Sequence, residues 1–210
     1  MNRKLIALVL LATISASPAV AQNPFSQMKQ LGDSLTGKGS SNNSVVDSVD
    51  IYASFLAARL EMNNAQLSLA NAFDLKDQVT LLQAEQTRLQ SGAIDADGIK
   101  KSTVLSNNVS TALNEKMGQK TALSAEGRHH FEAAIPHLLL GTIMTVRLIV
   151  VSKSALSSAS FADKIPLALV AKDIPGLAKT TYENYKMVLT YGKENNIPMP
   201  SNASDALGSL

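Results

Sequence analysis

The chain contains no cysteine, no tryptophan, only 4% aromatic residues and three histidines, and it carries almost no excess of either charge. Each shortage removes a class of protein. Without Cys there is no disulfide framework, no thiol chemistry and no Cys-ligated zinc. A net charge of +2 with so few aromatics argues against a dedicated nucleic-acid binder, which needs a basic surplus and stacking platforms. Nucleophilic catalysis also lacks its arrangement, since no Ser sits in a G-x-S-x-G turn. No catalytic residue is assigned, and no cofactor is expected.

The first residues have the three-part form of an export signal. Arg3 and Lys4 are basic, Leu5 to Ile14 is apolar except for Thr13, and small residues lead to Ala19-Val20-Ala21. Residues 1–21 are therefore expected to be a signal peptide cleaved after Ala21, placing the product in a bacterial periplasm or outside the cell. The apolar run falls short of the ~20 residues that a bilayer span requires. Removing 21 residues from 210 leaves 189, enough for one domain with a real core. Taking Arg3 and Lys4 from the 19 basic residues leaves 17, equal to the 17 acidic ones, so the mature chain is neutral. Charge steering toward DNA, RNA or an anionic membrane then has no support.

Residues 22–44 are rich in Gly, Ser and Asn and read as a flexible leader. Within it, Gly32 to Gly39 approaches a phosphate loop but has Gly39 where the Mg²⁺-binding Ser or Thr should stand, and no strand precedes it. From Val45 the apolar residues Val49, Tyr52, Leu56, Leu60, Leu67 and Ala70 recur at helical spacing, with an interruption near Asp74 and a continuation to Ser91-Gly92. Asp97 is expected to cap a helix ending at Gly118, and Thr121 or Ser124 to cap a long one over about 125–160. That segment is apolar on nearly every side between Ala133 and Val151, so it is expected to be buried on all faces. Breaks are expected at Ile165-Pro166 and Asp173 to Gly176, with a short helix Pro166 to Lys172 between them and a last helix from near Pro175. Residues 195–210 read as an extended tail.

No strand pattern survives; even the β-branched Leu148 to Ser152 lies within a helical period. The expected fold is all-α: an antiparallel bundle of four to five main helices over 45–194, around the long, strongly apolar central helix at about 125–160.

Three constellations stand out. Glu126, His129 and His130 lie one turn apart and could share a metal ion, though a di-iron site needs a second Glu-x-x-His that no other segment supplies. His137 and Arg147 interrupt the most apolar stretch, as the polar anchors of a ligand pocket between helices would. Tyr182 and Tyr185 share a face of the last helix beside the tail and suit a protein contact. The apolar helix makes no stable membrane span, because only ten residues separate Pro136 from Arg147.

The reading is an exported, non-enzymatic helical protein that works by binding, either an envelope protein partner or a small apolar ligand between its helices. The alternative is a metal-dependent enzyme or metal carrier centred on Glu126, His129 and His130.

Overall fold

A computed structural model describes residues 48–92, 95–158, 161–200 and 208, so the signal-like segment, the leader with its Gly32 to Gly39 loop, and most of the tail lie outside the described residues. Five helices account for nearly all of the described chain: α1 (Ser48–Ala72), α2 (Lys76–Gln90), α3 (Ala96–Gly118), α4 (Ala125–Ser158) and α5 (Phe161–Glu194).

The helix ends follow from local chemistry. α1 stops where Asp74 turns left-handed at φ 53°, and the Leu75 N–H returns to the Ala70 carbonyl at 2.8 Å. Lys120 and Asn196 close α3 and α5 in the same left-handed conformation, and Gly92, at φ 69°, follows α2. Gly118 is thus the last helical residue of α3 rather than its left-handed stop. Ser124 caps α4, its Oγ accepting from the Gly127 N–H at 2.9 Å. For α3 the cap is Asp95, whose Oδ1 accepts from the Gly98 N–H at 2.7 Å. Asp97, expected in that role, sits inside the first turn and pairs with Lys101 at 2.6 Å.

Successive helices alternate in direction. Ala72 meets Gly127 while Glu61 meets His137, so α1 and α4 are antiparallel; Thr103 meets Asp173 while Asn107 meets Thr180, so α3 and α5 are parallel. α1 packs against each of the other four helices, and its interface with α4 is the most extensive. A Cβ on Gly127 would lie 2.7 Å from the Ala72 carbonyl oxygen, so only glycine lets α4 start this close to the end of α1. At one end of the bundle Ile51, Phe55, Ala58, Leu148, Val170, Ile174 and Leu177 form an apolar cluster. At the other, the Phe73 and Phe131 rings pack around Tyr191 at centroid distances of 5.3 and 5.2 Å.

Two expectations are corrected. α5 is a single helix: neither Pro166 nor Pro175 breaks it, and no separate helix covers Pro166 to Lys172. A proline inside a helix costs about 3 kcal/mol. Val170, Ile174 and Leu177 flank Pro175 and are all buried, contributing about 1.5–3 kcal/mol each, while Pro175 itself faces water. Packing therefore carries the helix through. The second correction concerns α4, which is not buried on all faces. Ala133, Arg147 and Val150 are exposed, Pro136, Leu140 and Ile143 are half-buried on the same side, and only 44% of its most apolar stretch is inside. By length and composition alone, Ala125–Ser152 could cross a membrane.

Candidate functional site

The parallel pair α3 and α5 leaves a groove along its outer side. Its first part is a cleft of about 400 Å³, walled by Ala96, Ile99, Lys100 and Val104 from α3 and by Lys172 and Asp173 from α5, with Thr103 also lining it. The lining is chiefly apolar, and the two lysines stand exposed. Further along lies a more polar stretch of about 210 Å³ beside Asn107, Asn114, Thr180 and Asn184, and then a broad one of about 600 Å³ toward Lys120 and Glu194. Gly176 lies at the junction: a Cβ there would touch the Thr103 methyl at 3.9 Å and Asp173 Oδ1 at 4.0 Å.

Behind the cleft is a buried charge. Arg59 of α1 is 4% exposed, and its Nη2 donates both to Asp173 Oδ2 and, at 2.6 Å, to Thr103 Oγ1. Thr103 in turn donates to Asp173 Oδ1 at 2.7 Å. The guanidinium carbon lies 5.5 Å from the centroid of the Phe55 ring, which adds a cation–π contact. Three helices are thus tied at one point, and both oxygens of the Asp173 carboxylate are already engaged. Losing either charged partner would strand the other in a low-dielectric interior.

The polar lining continues inward from Arg59. Asn63 donates to the Leu82 carbonyl at 3.0 Å, and Gln66 exchanges hydrogen bonds with Ser106. Glu85, buried on α2, accepts from Ser102 at 2.5 Å and from Arg88 at 2.6 and 2.9 Å. These bonds align α2 and α3 on α1 beside the buried apolar side chains Leu82, Leu89, Val109 and Leu113. Three buried polar atoms on the inner face of α5, Thr181 Oγ1, Asn184 Oδ1 and Tyr185 Oη, have no hydrogen-bond partner among the described residues.

The residues singled out from sequence fall elsewhere. Glu126 and His130 approach only to 3.9 Å on the exposed start of α4, His129 points to solvent, and among the described residues no group of three or more His, Asp or Glu could hold a metal ion. His137 pairs through Nδ1 with Glu61 Oε2 at 2.6 Å, linking α4 to α1. Arg147 is exposed and, among the described residues, makes no ion pair. The two are ten positions, or about 15 Å, apart along the helix. Tyr182 is 40% exposed and stays available for a contact, but Tyr185 is fully buried and belongs to the core. Burial pushes the Tyr185 hydroxyl up to about 12.

Arg59, Lys100, Thr103, Lys172 and Asp173 were not picked out from sequence. One signal was present, since Arg59 stands amid the apolar period of α1, where a charge must find a buried partner or a way out. Its partners lie 44 and 114 residues away, at separations no local pattern reports. No protein-family model, characterised protein or solved structure matches the chain.

Proposed function

We propose that the protein is an exported, non-catalytic binding protein of the bacterial envelope that holds a small, largely apolar ligand in the cleft between α3 and α5. The observation that carries the reading is the cleft itself. Its volume of about 400 Å³ and its chiefly apolar lining fit a small-molecule site, and a few polar groups converge on it. The Arg59, Thr103 and Asp173 bonds supply rigid walls, which limits the ordering that a ligand must impose. Export rests on the basic, apolar and small-residue succession of residues 1–21. The metal-centred alternative has only one loose Glu126 to His130 contact in its favour.

A neutral naphthylamine dye, dark in water and bright in apolar surroundings, tests the site. Saturable binding of one dye per chain is expected, lost in Val104→Asp, a change at a position 51% exposed that is expected to leave the fold intact, with circular dichroism as the check. Undiminished binding by that variant would remove the cleft from consideration. Protein recovered from the periplasm should begin at Gln22, and recovery from the cytoplasm with Met1 intact would end the export reading.

A further inference from the structure

The cleft has a charge pattern as well as an apolar lining. Lys100 and Lys172 reach it from opposite helices, and among the described residues neither is paired with a carboxylate. The acid beside them, Asp173, is cancelled by Arg59 from behind. Among the described residues that line the cleft, the remaining charge is therefore that of two lysines, beside the apolar side chains of Ala96, Ile99 and Val104. Asp97, also near the start of α3, is bound to Lys101, which with a smaller contribution from Lys100 holds its carboxyl below the usual carboxylate range; its ion pair is with Lys101 and not with Lys100.

We infer that the ligand is a single-chain anionic amphiphile, its acid group held between Lys100 and Lys172 and its alkyl chain lying on Ile99 and Val104. This inference rests on the cleft being the binding site. A water-sized group takes roughly 30 Å³, so the space suits a chain of on the order of a dozen methylenes. Burying that chain supplies the affinity, and the lysines select the head by attraction to an anion and by repulsion of a cation. A free carboxylic acid and an alkyl phosphate share this chemistry.

The test is displacement of the naphthylamine dye from delipidated full-length protein by dodecanoate, dodecyl phosphate, dodecanol and dodecylammonium, each below its micelle concentration. The anions are expected to bind about ten-fold more tightly than the alcohol, and the ammonium more weakly than either. Added salt should narrow the gap. The double variant Lys100→Ala, Lys172→Ala should lose that ten-fold for the anions and keep its affinity for dodecanol. Binding of only one of the two anions would support the anionic head and name it. Equal binding of alcohol and anion, or an unaffected double variant, overturns the inference while the apolar cleft stands. Failure of every dodecyl compound to displace the dye overturns both.

Discussion

Toward α4, α1 presents buried Ala72, and α4 answers with Gly127 there and with Gly141 against Glu61 and Met62. Small residues on both sides bring the two backbones close, so that contact is made by shape. Toward α2, α3 and α5, α1 presents Arg59, Asn63 and Gln66, which are also buried but are held by named hydrogen bonds. Close packing tolerates no added volume, whereas a polar interface tolerates no lost partner. The groove lies on the polar side.

The sharpest way to break this comparison is to remove the charge. Arg59→Ala is expected to destabilise the fold by about 3–5 kcal/mol in urea unfolding, because Asp173 is left without its cation. Arg59→Met combined with Asp173→Leu should recover most of that loss. A cost below about 1 kcal/mol for Arg59→Ala would mean that the polar side is held by something other than this pair.

Next comes pH. Tyr185 ionises near its ordinary value of 10 in the unfolded chain but only at about 12 in the folded one. Its contribution is complete below pH 10 and is lost between there and about 12, because only the unfolded chain gives up the proton in that window. The loss amounts to about 2–3 kcal/mol. Tyr185→Phe should reduce the fall without the usual penalty for deleting a hydroxyl, since its hydroxyl has no partner among the described residues. Burial raises Tyr191 as well, so a smaller fall should remain. An alkaline limb identical in Tyr185→Phe and the parent would place Tyr185 outside the core.

The smallest effect belongs to the outer side of α4. Arg147→Ala should change stability by less than about 0.5 kcal/mol, as an exposed residue with no ion pair among the described residues should. A loss above 2 kcal/mol would show that the outer side of α4 holds a buried charge after all.

Much of the bundle was legible along the chain. Apolar spacing placed α1, α2, α3 and α4 close to their observed limits, and the interruption near Asp74 is a left-handed residue that ends one helix before the next begins. The errors share one cause. Asp95 and Asp97 are both acceptable caps by residue type, and the choice depends on which one reaches the Gly98 N–H. Pro175 is a breaker by type, yet buried Val170, Ile174 and Leu177 outweigh it. Tyr182 and Tyr185 are a helical turn apart, but one meets water and the other the interior. Spacing says which residues are neighbours on a helix and not what lies opposite them.

The sequence by itself determined that the chain is helical, where its periodic segments run, and that its charges nearly cancel, because propensity, period and composition are properties of the chain alone. Only the tertiary structure decided that Arg59 meets Thr103 and Asp173, that Arg147 stays in water, and that a cleft with two lysines opens between α3 and α5. Those outcomes depend on which helix faces meet. A buried charge or a cleft is created by partners that lie far apart in the sequence.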